Sequence, residues 1–566
     1  MELRFFGATG NTTGTCHGIR AGGHTVLLDC GMFQGRRDEA RRLNERFGFD
    51  AGRIDAVVQS HAHVDHSGKL PVLVRRGFTG RIFATPATRD LCEILLHDSA
   101  RILLQDAEHL NRQRMRKKLL SQRARAEFRQ RAKREKADAR RTRRGKHAHE
   151  SAAANDEHAR RDAGRQGRAT GASEGVPFGR GVRSDLRGLE SGARDDGAPA
   201  LPTWNRNEPF RLPHESNLPE REVLPLFLEE DVDATMPLFA PRDYGEWFEA
   251  APNMRFRFHD AGHILGSAWV EGEIREGTRL HRLVFTGDYG RKHQPILRDP
   301  AELLPADVYI SESTYGNRTH PPFERLDEEL AAAVRRLAER GRGRLLVPAF
   351  AVGRTQNVLY SLARIFREKL APPVRVVVDS PLGTAATRIV LRHRECFDEE
   401  ALREYERFQA DPTLRAWLSF TDSVDESKAL NADPRPTLIV SSSGMMESGR
   451  ILHHLANGVS REETEILIVG FQAEHTLGRR LLEGATTVNV LGLAYAVRAR
   501  VTPLLGFSAH ADKDELIAAL EPHAHRATHL FLVHGEEDQR QPLARELAAR
   551  GFARVECPTD SRAWRI

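Results

Sequence analysis

Three imidazoles and a carboxylate fall within six residues, His61-Ala62-His63-Val64-Asp65-His66, straight after the β-type run Asp55–Ser60. Strand side chains repeat every second residue, so His61 and His63 leave an extended strand end on one side. The turn that follows brings Asp65 and His66 round to a second point. Imidazole together with carboxylate suits zinc or a similar divalent ion, and donors packed this densely suit two ions. A His-rich surface turn is the alternative reading.

The chain has 566 residues, too many for one hydrophobic core, and should hold two or three domains. Its five cysteines are scattered with no CxxC pair, which argues against a disulfide framework and a thiolate zinc site and fits a reducing cytosol. The first residues, MELRFFGATGNTTG, show no secretory pattern, and no run approaches the ~18 apolar residues of a membrane span. A cytoplasmic location is therefore expected. The formal net charge of +6 is misleading, because residues 112–222 hold 28 Lys+Arg against 16 Asp+Glu and the rest of the chain is net acidic. The basic balance thus says nothing about the folded body.

Short β runs separated by turn signals open the chain, at Glu2–Ala8, Thr25–Gly31, Asp55–His61 and Arg81–Thr85, followed by a helical stretch over Ala87–Leu110. Periodicity then fails. Residues 112–146 carry 17 basic and 3 acidic residues, and 147–222 are rich in Gly, Ala, Arg, Asp and Pro. Such a segment buries too little apolar surface to offset its ordering entropy, and reads as a charged helical extension fading into a disordered loop. β runs resume at Arg255–Asp260, Trp269–Ile274, Leu283–Asp288 and Asp307–Thr314. From about Arg318 helices (Phe323–Arg340, Arg354–Leu370, Thr384–Phe397) alternate with buried β runs (Leu345–Phe350, Val374–Asp379, Thr437–Ser442, Ile466–Phe471). That rhythm predicts a second α/β domain with a parallel, helix-covered sheet.

Four more predicted strands end in a metal-type residue next to glycine: Asp29 in VLLDCG, His263 in DAGHILGS, Asp288 in FTGDYG and His534 in FLVHGEED. A strand end followed by a glycine turn lets a polar side chain reach a shared cleft while its backbone stays packed. Two metals about 3.5–4 Å apart activate a water and clamp the attacking and leaving oxygens of an in-line displacement, and phosphodiesters fit such a clamp best.

The ordered set HAHVDHSGKLP, DAGHILGSA, FTGDYG, SESTYGNR, GFSAHAD and LVHGEE resembles the metallo-β-lactamase-fold nucleases of the β-CASP family, most closely their RNA-processing branch. The likeness covers the chain except 112–222. It implies an αββα sandwich interrupted by an inserted α/β β-CASP cap domain. The corresponding boundaries are a metallo-β-lactamase domain at 1–111, 223–317 and 501–566, a basic insertion at 112–222 and a cap at 318–500. The resemblance also implies two zinc ions, with His61, His63 and His263 on one, Asp65, His66 and His534 on the other, and Asp288 bridging. Asp29 would orient a ligand or the bridging water. The accessory motifs map to Glu312, His510 and His534: His510 as general acid for the leaving oxygen, Glu312 holding its tautomer. Because the DNA-processing branch is expected to carry an apolar residue where this chain has His534, RNA is the expected substrate.

The donor set suits manganese as well as zinc. A small ester or thioester hydrolase of the same fold, a DNA-processing β-CASP nuclease and an inactive RNA-binding scaffold are the competing readings. Endo- or 5′-exonuclease mode, the target RNA and homodimer formation are left open. The Gly-rich stretches Phe350–Asn357 and Ser441–Gly449 could hold phosphates, with Arg354 pairing one bidentately, but ordinary loops between β runs and helices explain them equally.

Overall fold

The computed structural model describes residues 1–35, 37–116, 130, 222–321, 323–410, 412, 415–470, 472, 475–504, 506, 508–559 and 561–566. Met1–Ala107 and Leu224–Ile566 form one unit and Glu108–Val223 another. In the second, residues 108–116 are helical, and Asn111 exchanges hydrogen bonds with the Val223 backbone at 2.8 and 2.9 Å. The expectation for 112–222 otherwise lies outside the described residues.

The first unit contains two seven-stranded sheets. One has the order β22-β1-β2-β3-β4-β5-β6, made of β1 (Glu2–Phe5), β2 (His17–Ala21), β3 (His24–Leu28), β4 (Ala56–Val58), β5 (Arg81–Ala84), β6 (Phe239–Pro241) and β22 (Trp564–Arg565). The other has the order β21-β20-β11-β10-β9-β8-β7, made of β7 (Trp247–Ala251), β8 (Met254–Asp260), β9 (Ala268–Glu276), β10 (Arg279–Phe285), β11 (Val308–Ser311), β20 (His529–Leu532) and β21 (Val555–Glu556). Period-2 alternation decides which face each side chain takes. Val26, Leu28 and Val58 turn inward and pack with Phe256, Phe258, Leu283, Phe285 and Phe531 of the facing sheet in one buried cluster. Leu27, Val57 and Ile82 turn outward onto a cluster with Leu70, Val72, Leu73 and Leu91. On the opposite outer face, Trp269, Val284, Tyr309 and Leu530 pack with Leu516 and Leu520 of helix Lys513–Leu520 and Leu543 and Leu547 of helix Glu537–Ala549. This is the expected αββα sandwich.

The chain leaves the second sheet after β11 and returns at β20, its parallel neighbour. Between them lies a six-stranded sheet in the order β14-β13-β15-β12-β16-β19. Its strands are β12 (Arg344–Pro348), β13 (Arg375–Val378), β14 (Leu418–Phe420), β15 (Thr437–Ser441), β16 (Thr464–Ile468) and β19 (Arg500–Pro503), all paired in parallel. Both faces are covered: Leu345 and Val347 join a cluster with Leu330, Leu337 and Leu362, while Leu346 joins one with Ile451, Leu455 and Leu481. The parallel, helix-covered cap expected from the buried β runs is therefore present. Its sheet extends to Pro503, three residues beyond the boundary placed at 500. A short hairpin, β17 (Thr487–Val490) with β18 (Leu493–Ala496), precedes β19.

Helix Phe323–Arg340 has the expected bounds. The helix expected at Thr384–Phe397 instead spans Pro381–Arg392. Ser380 caps it by accepting from the Gly383 amide, and Pro381 supplies a preset φ in the first turn. Beside that cap lies the fully buried Asp379, which accepts from Ser427 Oγ and Arg450 Nη1 at 2.6 Å and from Thr421 Oγ1, and pairs with His454 Nε2 at 2.6 Å. Burial alone would raise this carboxyl; the bonds from His454, Ser427, Thr421 and Arg450 outweigh it and hold it below the usual carboxylate range. A depressed folded-state value contributes stability above the unfolded value of about 4 that is lost as pH falls through the folded value. Asp379→Ala strands a desolvated cation and should cost about 3–5 kcal/mol at pH 7. Urea unfolding of both proteins, with the difference shrinking below pH ~4, checks this.

Candidate metal centre

Nine of the ten expected site residues come from strand ends on one edge of the sandwich. Asp29 follows β3, His61 to His66 follow β4, His263 follows β8, Asp288 follows β10, Glu312 follows β11 and His534 follows β20. β3 and β4 are parallel, and β8, β10, β11 and β20 run in one direction, so the donors are carboxyl-end residues in both sheets. The tenth, His510, comes from the loop before helix Lys513–Leu520 and forms an isolated β-bridge with Gly290.

The histidine turn is held by its own neighbours. Gln59 Nε2 donates to the carbonyls of His61 and His66 at 2.8 and 3.0 Å, and Ser67 Oγ donates to Ala62 O at 2.9 Å. Gly31 lies against this turn so closely that a Cβ there would meet Asp65 O at 1.6 Å. Gly31→Ala should therefore displace the Asp65–His66 segment and lower metal content, measurable by elemental analysis of the purified variant.

His61 Nε2 and His263 Nε2 lie 3.1 and 3.2 Å from His63 Nδ1, and each lies 3.4 Å from Asp288 Oδ2. A tetrahedron with metal–nitrogen bonds of about 2.0–2.1 Å has edges of about 3.3–3.4 Å, so these four atoms are spaced as a ligand set. The second group is Asp65, His66 and His534. His66 Nε2 is 3.1 Å from Asp288 Oδ1, and His534 Nε2 is 3.5 Å from Asp65 Oδ2. Asp288 thus presents one oxygen to each group. Its Oδ1 is buried without a hydrogen-bond partner, a need that a cation satisfies better than a proton. The residues therefore fit a metal ion.

Electrostatics favour the same reading at the first group, whereas at the second the burial of His66 is outweighed by Asp288 and Asp29, which raise it well above the usual imidazole range. Burial, reinforced by the neighbouring His66, lowers His61 to about 3, and burial lowers His63 to about 4 against the pull of Asp65 and Asp288. Burial and His510 likewise push His263 well down. These imidazoles keep free lone pairs at neutral pH. Asp288 runs against its own burial: His534, His66 and His61 hold it ionised, well below the carboxylate range.

The two residues expected to orient rather than bind, Asp29 and Glu312, each lie against a histidine. Asp29 is fully buried and accepts from Ser60 N at 2.6 Å and Ser60 Oγ at 2.7 Å, with His66 Nδ1 at 2.7 Å, so its oxygens are spoken for and His66 Nε2 is left facing Asp288. Glu312 accepts from the Tyr289 amide at 2.6 Å, and both its oxygens lie 3.1–3.2 Å from His510 Nδ1. Burial opposes charge on His510, but Glu312 and Asp288 outweigh it and raise the imidazole to about 9. His510 stands beside the donor cage, its Nδ1 4.0 Å from Asp288 Oδ2.

Sequence reasoning missed the supporting hydroxyls. Ser60 Oγ also touches His61 Nδ1 at 3.0 Å, Thr314 Oγ1 lies 3.0 Å from His534 Nδ1, and Thr15 Oγ1 lies 3.4 Å from His66 Nε2. Ser60 and Thr314 adjoin motif residues, which was the one signal they gave; Thr15 carried none.

A two-sheet sandwich with a histidine–carboxylate cage at its carboxyl edge and a cap inserted between β11 and β20 defines a metal-dependent hydrolase. Three family models match in chain order: the metallo-beta-lactamase superfamily over residues 10–85, the Beta-Casp domain over 355–481 and the Zn-dependent metallo-hydrolase RNA specificity domain over 494–558. Ribonuclease TTHA0252 of Thermus thermophilus is 30% identical over 97% of this chain and 97% of its own length. Transcription termination factors FttA of Methanosarcina mazei and Methanothermobacter thermautotrophicus are 26% and 24% identical, and the chain spans 64% and 66% of their lengths. The chain belongs to the β-CASP ribonuclease family of the metallo-β-lactamase fold. Among the described residues no helix is long and apolar enough to cross a membrane.

Proposed function

We propose that the protein is a zinc-dependent ribonuclease that binds two ions and hydrolyses RNA lying between the sandwich (1–111, 223–317, 501–566) and the cap (318–500). The observation that carries this is Asp288, whose two oxygens face two separate donor groups. His61, His63 and His263 would hold one ion, Asp65, His66 and His534 the other, with Asp288 shared. Bound there, the ions supply Lewis acidity toward a phosphoryl oxygen and an activated water. Asp29 holds His66 in the tautomer that leaves Nε2 free for a ligand role. His510, kept protonated by Glu312, delivers its proton to the departing oxygen of the cleaved bond. Manganese is also compatible with this donor set.

RNA is favoured over small esters by the six-stranded cap, over DNA by His534, and by the likeness to a ribonuclease and to an RNA specificity domain. Labelled RNA, the same sequence as DNA and a thioester, each incubated with and without chelator, separate these substrates. Chelator-sensitive turnover of RNA alone is expected, and equal turnover of DNA or preferred thioester cleavage contradicts the reading.

Residues 112–146, with 17 basic and 3 acidic side chains, would add sequence-independent affinity for the RNA backbone, the alternative being a solvated, tolerated insertion. Deleting 117–222 should leave metal binding and cleavage intact and flatten the salt dependence of RNA binding, by about 0.7 in log–log slope for each phosphate no longer neutralised. Fluorescence anisotropy across a salt series reads the slope, and an unchanged slope contradicts the assignment.

A further inference from the structure

Parallel α/β sheets carry their ligands outside the carboxyl ends of the strands, where the strand order reverses. In the cap that edge lies after β12 and β15, neighbours at the centre of the sheet. The loop following β12 carries Phe350, an aromatic residue left 41% exposed. Among the described residues the other exposed phenylalanine is Phe420, which ends the edge strand β14. Three strand spacings separate β14 from β12, about 14 Å.

The Phe350 backbone is held in place. Its carbonyl accepts from the amide and hydroxyl of Thr355 at 3.1 and 2.8 Å, and the preceding amide, Ala349 N, donates to Ser441 O at 3.0 Å. One side of the ring lies on Gly444 of the loop after β15, where a Cβ would meet ring atoms at 2.9 and 3.0 Å. Glycine at 444 is what lets the ring lie against backbone, and the residue as a whole keeps 41% exposure.

The same loop reaches the metal centre. Val352 belongs to one buried cluster with Ile264 and Leu265, and a Cβ at Gly353 would touch Ile264 Cγ2 at 3.5 Å. Ile264 is the residue after His263. Three Cα steps separate Phe350 from Gly353, at most about 11 Å. The loop that carries Phe350 thus packs, two to three residues further on, against the residue next to His263.

We propose that Phe350 is a base-stacking platform, holding one nucleobase of the RNA strand near the cleaved bond and adding affinity without reading sequence. This rests on the ribonuclease reading of the metal centre. Every nucleobase has a π face, so a single rigid ring held against backbone grips RNA of any sequence at that position.

The test uses the metal-loaded full-length protein and a labelled single-stranded RNA in which one abasic nucleotide is walked along the strand. In the wild type one position near the cut should be sensitive, with KM raised on base removal. Phe350→Leu keeps an apolar side chain against Gly444 and should raise KM about 5- to 150-fold with kcat within about twofold, and Phe350→Trp should restore KM. In Phe350→Leu the sensitive abasic position should no longer matter, a coupling that a structural role does not produce. An unchanged KM in Phe350→Leu, or a wild type with no sensitive position, overturns the stacking role while RNA turnover still supports the ribonuclease. Absence of wild-type RNA turnover removes both.

Discussion

Asp288→Asn should lower RNA cleavage by about 10³-fold or more and reduce bound metal, with the fold retained. The carboxylate oxygens lie 3.4 Å from His61 Nε2 and His263 Nε2 and 3.1 Å from His66 Nε2, so the substitution removes a charge shared by both donor groups. An amide keeps the volume but offers one neutral oxygen acceptor, and its NH₂ would face imidazole lone pairs already committed to a cation. Elemental analysis with single-turnover cleavage of labelled RNA reads both effects. Full metal content with wild-type turnover would show that the two groups do not share this residue.

His510→Ala should separate chemistry from metal binding. Removing a positioned general acid typically costs about 10²–10⁴-fold in rate, here with metal content unchanged, because His510 Nδ1 is turned toward Glu312 at 3.1 Å. Glu312→Gln tests the electrostatic half of this assignment. Glu312 is the strongest influence raising His510 against its burial, so the variant's imidazole loses its proton at lower pH. With His510 acting as the acid, as proposed, the falling limb of rate against rising pH should move to lower pH in Glu312→Gln. A limb that stays in place, or a His510→Ala enzyme with normal kcat, removes His510 from the reaction.

The cage was legible because its residues are locally conspicuous. Three histidines and an aspartate in six positions are hard to account for by packing, and the Asp or His before each glycine turn marks a strand end whatever the strand's exact length. Strand bounds were less legible. The run read as Asp307–Thr314 ends its pairing at Ser311, because the Glu312 amide donates to Thr286 Oγ1 and not to a strand carbonyl. Composition cannot show where a residue exchanges a sheet bond for one to a side chain. β2 (His17–Ala21) escaped notice because His17 looks polar, yet it is fully buried between Phe5 and Phe285. Burial together with the nearby His66 and His534 lowers it to about 3, so it packs as a neutral ring. Helix Glu399–Ala410 was hidden by its charged sequence, EEALREYERFQA, which buries Ala401 and otherwise little. Nothing in the sequence alone could pair β19 with β16, since the partner of a parallel strand lies far away in the chain.

Anomalous diffraction at the zinc edge, on crystals grown with the metal, tests most directly whether seven donors from four separate segments hold two neighbouring cations. Two peaks are expected, one among His61, His63 and His263 and one among Asp65, His66 and His534, with Asp288 between them. A single peak, or peaks elsewhere in a protein that still cleaves RNA, would contradict the paired site.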